Sequence, residues 1–122
     1  QVIAAFPAGY IGTTAENLKA SAEGELHEHS AMYPDFAAIA EEEGFKEIAA
    51  TFLAIAKAEV GHEQRYRALL ARVEGDKVFE REETTVWRCR NCGYLHEGTS
   101  APKVCAACAH PQAHFEAYLP VW

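Results

Sequence analysis

Apolar residues recur at helical spacing along two long stretches of the chain, residues 14–43 and residues 45–73. At about 100° per residue, the apolar positions of each stretch fall on one side of a helix. The first stripe contains Leu18, Met32, Phe36 and Ile39, and the second contains Ile48, Phe52, Ile55, Tyr66 and Leu70. Gly44 separates the two stretches and favours a helix end followed by a tight turn. The pattern predicts an antiparallel hairpin of two helices, each roughly 45 Å long.

Residues around the first helix predict where it begins and where it is disturbed. Thr13 and Thr14 are good N-cap residues, and Glu16 follows in the first turn. Pro34 is expected to bend the helix or break it locally, because proline lacks the N–H that a helix interior needs. Residues 1–12 are apolar and contain proline and glycine, which predicts an extended segment that packs against other parts of the protein.

A carboxylate lies in the middle of each apolar stripe. Glu25 is followed three residues later by Glu28, and Glu59 is followed at the same spacing by His62. A buried, ionised carboxylate is costly unless it is paired or bound to a metal. A single Glu can instead extend its carboxylate to solvent, and this alternative holds for either helix alone. The repeated placement predicts a metal site inside a helix bundle, with ligands that suit iron or manganese.

Two neighbouring histidines, His27 and His29, are interpreted as packing residues or as partners of the ligands. The hairpin cannot cover its own apolar stripes, so we expect a second hairpin to complete a four-helix bundle. That hairpin would come from a second copy or from an N-terminal portion. The chain starts with Gln1 and its single methionine is Met32, so we expect the sequence to lack its beginning.

Composition narrows the classes of partner. The 122 residues are 49% hydrophobic, which argues against disorder. A net charge of −7 disfavours nucleic acid and anionic membranes as partners. No apolar run reaches the roughly 18 residues of a membrane span. The apolar residues 2–11 follow no basic segment, so they do not resemble a signal peptide.

The composition changes towards the C-terminus. Glu74 is followed by Gly75 and Asp76, which predict the end of the second helix, and residues 76–86 are interpreted as a linker. Residues 87–122 contain all four cysteines and three of the five prolines, and they predict a second small domain. Its predicted core consists of Trp87, Tyr94 and Phe115. Its histidines, which are interpreted as exposed or near a metal, are His96, His110 and His114.

The cysteines form two C-x₂-C pairs, Cys89 with Cys92 and Cys105 with Cys108, separated by twelve residues. Two such pairs that face each other present four thiolates in a tetrahedral site. A domain this small has too little core to fold alone, so a bound metal would stabilise it directly. Two disulfides are the alternative. The spacing fits zinc and iron equally well.

Several longer segments resemble rubrerythrin over essentially the whole chain. The segments that resemble its rubredoxin-like tail are Trp87-Arg-Cys-Arg-Asn-Cys-Gly-Tyr, His96-Glu-Gly, Cys105-Ala-Ala-Cys-Ala-His-Pro and His114-Phe-Glu. The segments that resemble the second half of its ferritin-like bundle are Phe6-Pro-Ala-Gly, Gly24-Glu-Leu-His-Glu, Met32-Tyr-Pro, Glu42-Glu-Gly-Phe and Ala58-Glu-Val-Gly-His-Glu. The resemblance implies a mainly α fold, with half of a ferritin-like four-helix bundle in residues 1–75 and a small rubredoxin-like metal-bound β/loop domain in residues 87–122.

The resemblance also implies a function. It implies a non-haem iron peroxidase that reduces hydrogen peroxide to water in oxidative-stress defence. Electrons would pass through an Fe(Cys)₄ centre and, in the family, across a subunit interface. Tyr33 would lie close to the di-iron site. The implied di-iron ligands are Glu25, Glu28, Glu59 and His62, and the implied ligands of the single iron are Cys89, Cys92, Cys105 and Cys108.

The chain departs from the family pattern in two places. The opening helical hairpin, which carries the remaining di-iron ligands, is absent. Ala106 replaces the usual proline of the last knuckle, which removes a rigid φ angle but no ligand. Zinc or manganese could also occupy part of the di-iron site, and zinc could occupy the cysteine site.

Two further functions compete with the peroxidase hypothesis. A ferritin-like ferroxidase for iron handling would use the same carboxylates, but it needs no four-cysteine relay. A non-enzymatic zinc-ribbon module would leave the carboxylates unexplained. The expected partners of the peroxidase are hydrogen peroxide, an electron-donor reductase or rubredoxin, and a second copy or an N-terminal hairpin fragment. Thiolates that stay free for metal predict a reducing compartment, the cytoplasm.

Overall fold

The computed structural model describes residues 11–120, and the chain forms two compact units, Gln1–Glu74 and Gly75–Trp122. The predicted extended segment 1–12 lies almost wholly outside the described residues. In the first unit, helix α1 spans Thr14–His27 and Thr13 is its N-cap. The Thr13 amide donates to Glu16 Oε2 at 2.8 Å, and the Glu16 amide donates to Thr13 Oγ1 at 3.3 Å. This capping box confirms the predicted helix start.

The first helix continues through a π-helical segment, Glu28–Met32, into helix α2, Tyr33–Glu42. The Tyr33 amide donates to the Glu28 carbonyl, five residues back, so the segment accommodates one extra residue in its turn. Pro34 follows directly within the same continuous helix, where it cannot donate the amide hydrogen bond of an interior residue. The interruption predicted at Pro34 is therefore a π-helical segment rather than a break.

A tight turn joins α2 to the long helix α3, Lys46–Glu74. Gly44 adopts a φ of +86°, and the Phe45 amide donates to the Ala40 carbonyl at 2.7 Å. This left-handed glycine confirms the predicted helix end. The described core between the helices is built from small side chains, so the helix backbones approach closely. The buried alanines are Ala22, Ala37, Ala40, Ala49 and Ala56.

The second unit contains a three-stranded antiparallel sheet with the order β2-β1-β3. The strands are β1 (Glu80–Cys89), β2 (Leu95–Ser100) and β3 (Phe115–Ala117), and a 3₁₀ turn spans Gln112–His114. Strand β1 overlaps the predicted linker 76–86, so that part of the linker prediction is wrong. The β-favouring run Thr84-Thr85-Val86 supports the strand, and Thr85 and Val86 pair with β2.

The core of the second unit surrounds Trp87. Trp87 is 1% exposed, and its indole Nε1 donates to the Gly98 carbonyl at 3.1 Å. Phe115, Ala101, Cys89 and Cys105 complete the cluster of buried residues. Tyr94 was expected in this core, but it is 36% exposed, so this expectation is wrong. Its backbone carbonyl accepts the Cys89 amide, so Tyr94 contributes to the first cysteine knuckle through its main chain.

Candidate metal centres

The two cysteine knuckles repeat one pattern of backbone hydrogen bonds. In the first, the Cys89 amide donates to the Tyr94 carbonyl and the Gly93 amide donates to the Cys89 carbonyl. In the second, the Cys105 amide donates to the His110 carbonyl and the Ala109 amide donates to the Cys105 carbonyl. The residue after the second cysteine is left-handed in both, with φ +83° at Gly93 and +60° at Ala109. The two knuckles therefore share one pattern of backbone turn.

The four thiols meet in one cluster, with their sulfur atoms within 4.8 Å of one another. The Cys89 and Cys108 sulfurs are 3.8 Å apart, and the Cys92 and Cys105 sulfurs are 3.6 Å apart. A tetrahedral site with metal–sulfur bonds of about 2.3 Å has sulfur–sulfur edges of about 3.8 Å. The described cysteines thus fit a tetrahedral zinc or iron ion, and all four are free rather than disulfide-bonded.

Two thiols of this cluster have pKa values that are shifted in opposite directions. The backbone around His110 lowers the pKa of Cys108 to about 6, so its thiolate forms readily. A backbone hydrogen bond to Tyr94 lowers the pKa of Cys92, but burial and the neighbouring thiols outweigh it and raise the pKa to about 12. Thiols this close oppose a second negative charge, and a bound cation would reverse that opposition.

A second group forms on the helical hairpin. Glu25 from α1 and Glu59 and His62 from α3 place their ligand atoms within 4.8 Å of one another; we call these three residues the carboxylate cluster. His62 Nδ1 lies 2.5 Å from Glu59 Oε2 and 3.6 Å from Glu25 Oε2. Glu59 is 9% exposed and is the single buried charged residue of the part that the structure describes. The i, i+3 spacing on α3 produces the Glu59–His62 contact.

The electrostatics of the carboxylate cluster favour a cation. Burial raises the pKa of Glu25, and a hydrogen bond with Glu59 and the Glu59 charge raise it further. The two carboxyls therefore compete for negative charge. A metal ion between them would remove the repulsion and use the imidazole of His62 as a neutral ligand. This donor set fits iron or manganese.

Glu28 and Tyr33 lie beside the carboxylate cluster rather than within it. Glu28 is half-buried on the π-helical segment, and its charge raises the pKa of Glu25. Burial, and then the charges of Glu28, Glu59 and Glu25, raise the pKa of Tyr33. The structure therefore groups three of the four predicted di-iron ligands, with the fourth and the predicted tyrosine within electrostatic reach.

Sequence reasoning missed one interaction next to this cluster. His29 Nε2 lies 2.6 Å from Glu63 Oε2, and Arg67 Nε donates to Glu63 Oε1 at 2.6 Å. The hydrogen bonds from His29 and then Arg67 lower the pKa of Glu63. The contact ties the π-helical segment to α3. The i, i+4 spacing of Glu63 and Arg67 predicts their contact within α3. The contact between His29 and Glu63 across the hairpin has no signal in the sequence.

A helical hairpin with a carboxylate and histidine cluster, followed by a four-thiol unit, defines a two-domain metalloprotein class: half of a ferritin-like bundle with a rubredoxin-like domain. Residues 2–70 match the family described as Rubrerythrin, and residues 87–116 match the one described as Rubrerythrin, rubredoxin-like domain. The chain belongs to the rubrerythrin family. The fold class and the family expected from the sequence are thereby confirmed.

Individual relatives agree with this assignment. Rubrerythrin of Porphyromonas gingivalis is 62% identical over 116 residues, which cover 95% of this chain and 58% of that protein. Rubrerythrin of Nitratidesulfovibrio vulgaris is 58% identical over 116 residues, covering 95% of this chain and 61% of that protein. A solved structure of nigerythrin in a partially reduced state has a TM-score of 0.51 at 30% identity, covering 96% of this chain and 59% of that one. The chain thus spans about three-fifths of the length of these relatives.

Between residues 11 and 120, no helix has both the length and the apolar composition that a bilayer crossing requires.

Proposed function

We propose that this chain takes part in the reduction of hydrogen peroxide to water, in oxidative-stress defence. The reaction consumes two electrons and two protons for each peroxide and releases two waters. The observation that carries the proposal is that one chain combines the carboxylate cluster with a four-thiol cluster, each with ligand atoms within 4.8 Å. Iron ions bound at the two clusters would supply the electrons.

Each cluster has a proposed role. Glu25, Glu59 and His62, with Glu28 from the π-helical segment, would hold a di-iron site, in which zinc or manganese could replace part of the iron. The four cysteines would hold a single iron, or zinc, and the iron form would relay electrons. Because iron storage alone needs no such relay, the combination favours a peroxidase over a ferroxidase.

Tyr33 would assist at the carboxylate side. Burial and the surrounding carboxylates raise the pKa of Tyr33, which favours the protonated phenol further. Its Oη can therefore donate a hydrogen bond to a ligand or to a bound substrate oxygen. A half-buried, protonated donor of this kind would orient a peroxide without adding another negative charge to the site.

The proposal assigns a role to each part of the chain. The hairpin in residues 1–75 would be the half-bundle that needs a partner hairpin, and residues 87–122 would be the electron-relay domain. An electron-donor reductase or a rubredoxin would reload the relay. A metal site of four thiolates requires that the cysteines stay reduced, which supports a reducing compartment, and the cytoplasm is the proposed location.

The test uses the full chain loaded anaerobically with ferrous iron. Peroxide consumption and electron consumption are measured together with a reductant, alongside iron content and the red colour of an Fe(Cys)₄ site. We expect one peroxide reduced for every two electrons. Glu59→Gln is expected to lower the rate at least about tenfold by weakening metal binding, whereas Glu41→Gln, an exposed glutamate on α2, serves as the matched control.

Three outcomes would contradict the proposal. Oxygen-driven iron oxidation without peroxide turnover would indicate a ferroxidase instead. Zinc at the thiols with no metal at the carboxylates would indicate a zinc-ribbon module. Equal rates for the Glu59 and Glu41 variants would show that the carboxylate cluster does not hold the reacting metal.

A further inference from the structure

We propose that His29 and Glu63 are positioning residues for the carboxylate cluster, because their contact holds the π-helical segment Glu28–Met32 against α3. The inference rests on the proposed function of the cluster as a metal site. It adds that the extra residue in the helix, and the contact that secures it, keep Glu25 turned towards α3. We call the contact of His29 with Glu63, together with Arg67, the interhelical clasp.

The extra residue lets two parts of the first helix face α3 together. Glu25 meets α3 in the carboxylate cluster, and Ala37, which is 4% exposed, packs with Ala49 of α3. In an uninterrupted α-helix, Glu25 and Ala37 would point about 120° apart around the axis. The one residue that the π-helical segment absorbs reduces this angle to about 20°. The cluster and the alanine core therefore share one helix face only while the π turn is present.

The π-helical turn needs support from outside the first helix, because such turns are rare and are not a preferred backbone form. Within it, the Tyr33 amide donates to the Glu28 carbonyl. Ser30 Oγ donates to the Leu26 carbonyl at 2.5 Å. Both of these hydrogen bonds stay within the first helix, so neither fixes the segment against α3. The side chain of His29 makes the hydrogen bond that does.

The interhelical clasp has the geometry of a specific contact between helices. His29 Nε2 lies 2.6 Å from Glu63 Oε2, and the other carboxylate oxygen of Glu63 accepts from Arg67 Nε at 2.6 Å. The side chains of His29 and Glu63 are 18% and 14% exposed. Because both carboxylate oxygens are engaged and little water reaches the pair, the contact is stronger and better oriented than one on an open surface.

The interhelical clasp lies at the same level of the hairpin as the carboxylate cluster. Glu25 and Glu63 lie nineteen residues on either side of Gly44. His29 and Glu59 lie fifteen residues on either side of it. Because the rise per residue is nearly equal along both helices, these four residues form one layer. The Glu25–Glu59 contact and the His29–Glu63 contact cross that layer in opposite directions, so loss of the clasp removes one of two ties at the site.

The first experiment measures amide hydrogen exchange by NMR on the full chain, with zinc bound to the cysteines and no metal on the hairpin. In His29→Ala we expect the Tyr33 amide to exchange at least about tenfold faster than in the parent chain, because the π turn opens more often. The Ala49 amide, in the alanine core of the same hairpin, is expected to change by a smaller factor. His29→Gln is expected to restore slow exchange, because its side-chain amide can still donate to Glu63.

The second experiment adds manganese(II) to the same samples and measures the free ion by electron paramagnetic resonance. Manganese prefers carboxylate and imidazole ligands over thiolates, so it probes the hairpin. His29→Ala and Glu63→Ala are each expected to weaken manganese binding about tenfold, as the loss of residues that support metal ligands does. The double variant is expected to be no weaker than either single one, because both remove the same contact. Gln64→Ala, at an exposed neighbour of Glu63, is the matched control and is expected to bind normally.

The outcomes separate this inference from the proposed function. A parent chain that binds no manganese would overturn both. Manganese bound equally tightly by the parent chain and by His29→Ala would leave the metal site and overturn the positioning role. Equal acceleration of the Tyr33 and Ala49 amides would show that the clasp only stabilises the whole hairpin, which would also overturn the inference. Additive effects of His29→Ala and Glu63→Ala would show that the two residues act separately, and the clasp would be refuted.

Discussion

Ala109→Gly is expected to stabilise the second cysteine knuckle, although most alanine-to-glycine changes destabilise a protein. Ala109 has a φ of +60°, in the left-handed region that costs an L-residue about 1–2 kcal/mol. Glycine removes that cost. Glycine also gives the unfolded chain more freedom, which opposes folding by about 0.4–1 kcal/mol. The difference favours the variant by roughly 0.8 kcal/mol, or about fourfold in the unfolding equilibrium.

The first knuckle provides the inverse experiment. Gly93 occupies the equivalent position with a φ of +83°, and a Cβ built there meets no atom within 4 Å. Gly93→Ala therefore adds backbone strain without a steric clash, and it is expected to destabilise the unit by a similar roughly 0.8 kcal/mol. Ala106→Gly is the control in the same knuckle as Ala109, because its φ is not positive and the change only adds chain freedom.

The assay is denaturant unfolding of the zinc-loaded chain, followed by the fluorescence of buried Trp87. Zinc release to a chromogenic chelator gives an independent measure of the same stability, because metal binding and folding are linked here. The expected order of stability is Ala109→Gly, then the parent chain, then Ala106→Gly. If Ala109→Gly lowered the unfolding midpoint as much as Ala106→Gly does, the strain argument would be refuted.

Two further predictions concern the helical unit. Thr13→Ala is expected to cost about 1 kcal/mol of stability by removing the N-cap, whereas Thr13→Ser should preserve it; thermal unfolding of the helices compares them. Hydrogen bonds from Thr13 lower the pKa of Glu16, so the contribution of the capping box is present above the usual pKa and is lost as the pH falls through the lowered one. The Thr13 backbone amide and then its hydroxyl donate to Glu16, so proton NMR titration of Thr13→Ala is expected to show a Glu16 pKa that is less lowered than in the parent chain, because only the hydroxyl is lost. His29→Ala is expected to destabilise the hairpin by about 1–3 kcal/mol because Glu63 loses a half-buried partner, and exposed His27→Ala is expected to change stability by less than about 0.5 kcal/mol; equal effects would show that the His29–Glu63 contact carries no stability.

The features that the sequence predicted correctly have local and chemically specific signals. A capping Thr13 three residues before Glu16 and a left-handed Gly44 mark helix ends wherever they occur. The four-cysteine spacing is likewise a short-range pattern, and the structure brings those thiols together. The first half of strand β1 was not predicted, because its residues are charged and mostly solvent-exposed. They lack the alternation of apolar and polar residues that marks a half-buried strand.

The π-helical segment could not be predicted from periodicity. A count at about 100° per residue assumes an uninterrupted α-helix, and one extra residue changes which side chains face the same way beyond it. Glu28 is the first residue of that segment, and it stands outside the carboxylate cluster. Residues beyond the segment, such as Tyr33, cannot be placed around the helix by an uninterrupted count.

The height of the carboxylate cluster along the hairpin follows from the distances in sequence between its residues and the turn at Gly44. Glu25 lies nineteen residues before Gly44, and His62 lies eighteen residues after it. At about 1.5 Å per residue, antiparallel helices that begin at the same turn carry these two residues at nearly the same height. The left-handed glycine that ends α2 therefore also sets the register in which Glu25 meets Glu59 and His62. A local conformational preference at the turn, far along the chain from the ligands, fixes the geometry on which the proposed metal chemistry depends.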